Sequence, residues 1–133
     1  MGSTMKNKIY IIEVKNNENQ AKKRIIQNIK EKKITYIKNE SHTEESPLGL
    51  INISGPSIIL KSSGSSGKPR KCIHHIDNLK LSAKTSGKWL EKQGFELKNC
   101  IIFNTLPLFH ISGLMPIIRS QVWRCKYLSL IHI

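Results

Sequence analysis

Short β-branched runs alternate along this chain with segments whose apolar residues recur at helical spacing. That pattern implies βαβ units and restricts it to a mainly α/β fold. Ile9 to Val14 reads as a first strand. Asn17 or Asn19 can cap a helix that places Ala21, Ile25, Ile26 and Ile29 on one face through about Lys32. Ile34 to Ile37 reads as a second strand, and Asn39 to Pro47 as a polar loop. Gly55-Pro56 makes a turn between short strands Ile51 to Ile53 and Ser57 to Leu60. Further on, a helix capped by Asp77 turns Leu79, Ala83 and Leu90 inward and ends at Gly94. A strand from Cys100 to Phe103 precedes a helix from Ile111 to Trp123 with Leu114, Ile117 and Ile118 inward, and Tyr127 to Ile133 is strand-like. Trp89, Phe95 and Trp123 are expected to fill the core rather than stack on bases.

The 133 residues suffice for about one small domain. Met1 to Thr4 reads as a non-native leader and residues 5–133 as part of a domain, since the sequence stops inside an apolar run without a turn after it. Three widely spaced cysteines, Cys72, Cys100 and Cys125, exclude a disulfide scaffold. The most apolar stretch, Ile101 to Ile118, is interrupted by Asn104, Pro107, His110, Ser112 and Pro116, whereas a membrane span needs about 20 mostly apolar residues. With no secretory core near the start, the expected setting is the reducing cytoplasm. The formal charge of +13 invites a polyanion-binding reading. Yet the lysines are spread along the chain, and 18 of the 22 basic residues are Lys rather than Arg, which leaves little bidentate base-reading capacity. Nucleic acid is therefore not the expected partner. Cys72-x-His74-His75 hints at a metal, but no second ligand pair stands at tetrahedral-site spacing, and no metal ligands are assigned.

The most distinctive string is Ser62-Ser63-Gly64-Ser65-Ser66-Gly67-Lys68-Pro69-Arg70, directly after the apolar strand that ends at Leu60. Gly64 and Gly67 can take positive φ, so that successive backbone N–H groups converge on an anion. Serine hydroxyls add donors without bulk, and Lys68 and Arg70 add charge. It is not a Walker A loop, because Ser62 stands where that motif has Gly and Pro69 where it has Ser or Thr. On residue chemistry alone, a phosphate cradle and a flexible Gly/Ser linker are about equally good readings.

The string resembles the phosphate loop of the acyl-adenylate-forming (AMP-binding) enzymes, and each position from Ser62 to Arg70 fits that pattern. Cys72-Ile73-His74-His75 and Asn78-Leu79 are similar to the family's strand, turn and helix start after that loop, although Lys71 stands where glycine is usual. A second string, Pro107-Leu108-Phe109-His110-Ile111-Ser112-Gly113-Leu114, resembles the family's next motif, in the family's order and spacing. The resemblance implies the N-terminal portion of the large adenylate-forming catalytic domain, a mixed sheet with flanking helices, truncated before the remaining motifs and the lid domain. It also implies an ATP-dependent carboxylate–CoA ligase, with little or no activity in the fragment alone. Its substrates would be ATP, with Mg2+, a small carboxylic acid and coenzyme A. Ser62, Ser63, Gly64, Ser65, Ser66, Gly67, Lys68 and Arg70 would then hold the ATP phosphates, and Phe109, His110 and Gly113 would border the acyl pocket. No residue of this chain is assigned to the chemical step, and the oligomeric state is left open.

Overall fold

A computed structural model describes residues 8–39, 53–62 and 70–130. The β-branched runs Ile9–Val14 (β1) and Ile34–Asn39 (β2) pair in parallel, joined by helix α1 (Glu18–Lys30). Ser57–Ser62 (β3) adds parallel to β2, and Arg70–His75 (β4) adds antiparallel to β3. This gives a four-stranded mixed sheet in the order β1-β2-β3-β4. Helix α2 (Ile76–Lys92) follows β4 without a break. A short 3-10 turn (Leu97–Asn99) then leads to β5 (Ile101–Asn104), α3 (Ile111–Trp123) and β6 (Lys126–Ser129). The expected α/β architecture, a mixed sheet with flanking helices, is thus observed.

Alternation along the strands decides where the core lies. Ile12 and Val14, Ile37, and Ile58 with Leu60 form one sheet face, packed with Ala21 and Ile25 of α1, Leu79 and Ala83 of α2, and Leu114, Ile117 and Ile118 of α3. The opposite face carries a smaller cluster of Ile34, Tyr36, Ile53 and Ile59.

Several sequence expectations are corrected. β5 and β6 form a separate two-stranded parallel sheet, with Ile101 opposite Lys126, and do not extend the first. Asn17 does sit at the start of α1, but its side chain caps nothing. Its Oδ1 accepts from the Lys15 N–H at 2.6 Å and its Nδ2 donates to the Glu13 carbonyl at 3.2 Å, closing the turn out of β1. Helix α1 stops at Lys30, because Lys32 adopts a left-handed φ of 57°. His75, not Asp77, is the residue that precedes α2. Ile53 lies outside any strand, while residues 51–52 are outside the described part, as are Met1 to Thr4, most of the polar loop from residue 40 to 47, and residues 131–133. Trp89 and Phe95 are 61% and 54% exposed and do not fill the core. Trp123 is partly buried, and its indole N–H donates to the Ala83 carbonyl at 2.7 Å, locking α3 onto α2.

Candidate functional site

Strand β3 runs in the same direction as β1 and β2, so the hydroxyl-rich loop leaves from the carboxyl end of a parallel set, the edge where open α/β sheets bind ligands. Strands β3 and β4 pair antiparallel as a hairpin whose connecting residues, 63–69, lie outside the described part. The hairpin's mouth is fixed by cross-strand pairs Ser62 with Arg70 and Lys61 with Lys71. Three cations, Lys61, Arg70 and Lys71, therefore stand at that end of the strand pair. Of the three, only Arg70 is a phosphate-binding candidate on sequence grounds. Lys71, the departure from the family pattern, lies within β4 opposite Lys61. Of the predicted phosphate-binding residues, Ser62 and Arg70 are described, whereas Ser63, Gly64, Ser65, Ser66, Gly67 and Lys68 lie outside the described residues.

The second string comes after the carboxyl end of β5. Pro107 breaks the chain, Leu108 is fully buried in the main core, and His110 directly precedes α3 with extended backbone. The Phe109 and His110 rings meet at 4.9 Å between centroids. The His110 N–H donates to the Pro107 carbonyl at 3.2 Å, and the Leu114 N–H to the His110 carbonyl at 2.9 Å, winding the first turn of α3 tightly beneath the motif. Gly113 is needed for that fit: a Cβ there would overlap the Pro107 carbonyl. Among the described residues, no hydrogen bond or ion pair joins Ser62 or Arg70 to Phe109, His110 or Gly113.

Asn104 is the organising residue that sequence reasoning missed. It is 2% exposed at the end of β5. Its Oδ1 accepts from the Leu106 N–H at 2.9 Å. Its Nδ2 donates to the Gly113 carbonyl at 3.0 Å and to the Tyr127 hydroxyl at 2.9 Å, and its own carbonyl accepts from the Leu130 N–H at 2.8 Å. One side chain thus ties the Pro-Leu-Phe-His corner to β6 and α3. An amide between an apolar strand and a proline was the available signal, but it reads equally well as a loop polar residue.

The Cys72, His74, His75 set does not converge. Strand alternation puts Cys72 and His74 on one face of β4 and His75 on the other, where its Nδ1 lies 3.1 Å from Ser57 Oγ. Burial holds the His74 imidazole below its ordinary pKa of 6.5, so the fold favours the neutral ring. The unfolded chain then binds more protons just below that pH, and stability must fall as pH drops through about 6.5. Thermal melts between pH 7.5 and 5.5 should show this loss, with His74→Gln reducing it. An unchanged pH slope in the variant would contradict it.

A groove of about 360 Å3 lies between the helices, with an apolar floor of Ile26, Ile29, Ile118 and Val122 and cations Lys30, Lys80, Lys84 and Arg124 around it. None of these residues belongs to either motif. No helix among the described residues is long and apolar enough to cross a membrane.

No family model and no curated protein matches this chain. Seven chains of solved structures do. One is a double mutant of o-succinylbenzoate CoA synthetase from Bacillus subtilis bound with its product analogue OSB-NCoA. It is 16% identical, with a TM-score of 0.49 over 91% of this chain and 33% of that one. This chain therefore spans about a third of the length of that protein.

Proposed function

We propose that this chain is the N-terminal part of the catalytic domain of an adenylate-forming carboxylate–CoA ligase. The observation that carries the reading is the match of two strings to the family's motifs, in order and spacing, and the hairpin placement of the first supports it. In this reading, a carboxylate oxygen attacks the α-phosphorus of ATP and pyrophosphate leaves. The coenzyme A thiol then attacks the acyl carbon of the adenylate and AMP leaves. The loop from Ser62 to Arg70 grips the β- and γ-phosphates through backbone N–H groups and hydroxyls, while Lys68 and Arg70 offset the charge that builds on the leaving pyrophosphate. Phe109 and His110 shape the acyl side. Mg2+ would enter with the ATP phosphates, and no residue of this chain and no step here is assigned to the ion.

Among the acids of this superfamily, o-succinylbenzoate, of menaquinone and phylloquinone biosynthesis, is the first to try. Another acyl or aryl acid of the same superfamily is the alternative. ATP should bind the chain and lose at least tenfold in affinity in the Lys68→Ala/Arg70→Ala double variant, as expected for two lost charge-assisted bonds. Titration calorimetry with ATP tests this. No binding at millimolar ATP, or equal binding by the variant, would overturn the proposal. In the protein that carries this sequence, carboxylate-dependent exchange of pyrophosphate into ATP then identifies the acid.

One observation favours a second reading, a basic polyanion-binding module. Among the described residues, none that lines the cation-rimmed groove is acidic. On that reading, heparin or RNA affinity falls steeply with salt and survives the loop substitutions. Dependence on Lys68 and Arg70 would reject it.

A further inference from the structure

Residues in register on parallel neighbours point to the same side of their sheet, and Ile101 on β5 is opposite Lys126 on β6. Each is immediately preceded by a cysteine. Cys100 and Cys125 therefore enter their strands side by side, at a strand spacing of about 4.8 Å, within the Cα separation of roughly 4.4–6.8 Å that a disulfide spans. Both backbones are anchored, Cys100 N–H to the Leu97 carbonyl at 3.1 Å and Cys125 N–H to the Ser120 carbonyl at 3.1 Å. Both are free thiols and partly buried, and Cys100 Sγ donates to the Glu96 carbonyl at 3.4 Å. Cys72 is placed elsewhere, on β4, with its thiol toward the Arg70 carbonyl.

We propose that Cys100 and Cys125 form a reversible disulfide across the start of the β5–β6 pair when the chain meets a low-molecular-weight disulfide such as oxidised glutathione. One cysteine thiolate attacks a glutathione sulfur, giving a mixed disulfide and releasing one glutathione thiolate. The second cysteine, once deprotonated, attacks the protein-bound sulfur of that mixed disulfide and releases the second glutathione thiolate. The two protein thiols are thereby oxidised by two electrons and the glutathione disulfide is reduced to two thiols. Burial, reinforced by the neighbouring Cys100, keeps the Cys125 thiol above its ordinary range, so closure runs faster in mildly alkaline solution. The cross-link encloses Asn104, the Phe109-His110 corner and all of α3, and so holds the second motif against β6.

The test is to treat the chain with oxidised glutathione at pH 8 and map peptides by mass spectrometry without reduction. One intramolecular Cys100–Cys125 link is expected, with Cys72 left free. It should raise Tm on the order of 10 °C, as closing a loop of this size predicts. Dithiothreitol should reverse the gain. Cys72→Ser should retain link and gain, and Cys100→Ser and Cys125→Ser should lose both. Stable glutathione adducts on both cysteines without ring closure, or a link that includes Cys72, would overturn the proposal.

Discussion

Replacing Asn104 with alanine is expected to destabilise the chain by about 3 kcal/mol, seen as a fall in Tm of roughly 10 °C. The size reflects the groups that the amide would leave unpaired. The Leu106 N–H loses its acceptor at 2.9 Å, a loss that water only partly makes good because Leu106 is 43% exposed. The Tyr127 hydroxyl loses its donor, and burial already keeps that phenol in its neutral form. The Gly113 carbonyl loses less, since it lies within α3 and retains helical bonding. An orphaned buried polar group costs about 1–3 kcal/mol, so three partial losses of about 1 kcal/mol each account for the expected total. Asn104→Asp provides a second measurement. It keeps an acceptor for Leu106 but turns acceptors toward the Gly113 carbonyl, so it should also be destabilised, and more strongly at neutral than at acid pH. A loss below about 1 kcal/mol in Asn104→Ala, measured by denaturant or heat, would show that this network does not hold the corner.

How much of this was legible in sequence depends on the range of the determining interaction. Helix α3 runs over Ile111–Trp123 as its spacing predicts, because Leu114, Ile117 and Ile118 lie on one stripe that outweighs the internal Pro116. Gly94 ends the α2 region at φ 98°, a conformation other residues reach only with strain. The tryptophan expectation fails because residue type is a poorer guide than helical phase. The buried stripe of α2 is Ile76, Leu79, Ala83 and Gly87, and Trp89 falls off it. The separate β5–β6 sheet was illegible for a different reason. A β-rich run does not reveal which strand it pairs with, and a long-range register has no local signature. The phosphate-loop residues were legible as chemistry. The hairpin mouth was not, since only the register sets Lys61 across from Lys71.

Gly113→Ala should be the most damaging single-methyl change in the described part of the chain, at about 3 kcal/mol or more. The added carbon would overlap the Pro107 carbonyl oxygen and lie 2.5 Å from its carbon and 2.8 Å from the Leu106 oxygen, all of them backbone atoms. None can swing away as a side chain would. The Pro107 carbonyl is held by the His110 N–H, and the Gly113 carbonyl by Asn104. Alanine gains about 1 kcal/mol over glycine as a helix former, too little to offset overpacking that typically costs 1–3 kcal/mol and more where the neighbour is rigid. Gly87 is the internal comparison. It too is buried within a helix, but its added carbon meets side chains, the Trp123 indole at 2.6 Å and Leu97 at 3.0 Å. These can yield once the bond to the Ala83 carbonyl is given up. Gly87→Ala should therefore lose about 1 kcal/mol and change Trp123 fluorescence, whereas Gly113→Ala should lose several times more. Equal melting temperatures for the two variants would show that α3 can slide off the Leu106-Pro107 backbone. The tight seat of the His110 corner on that helix would then be no requirement of the fold.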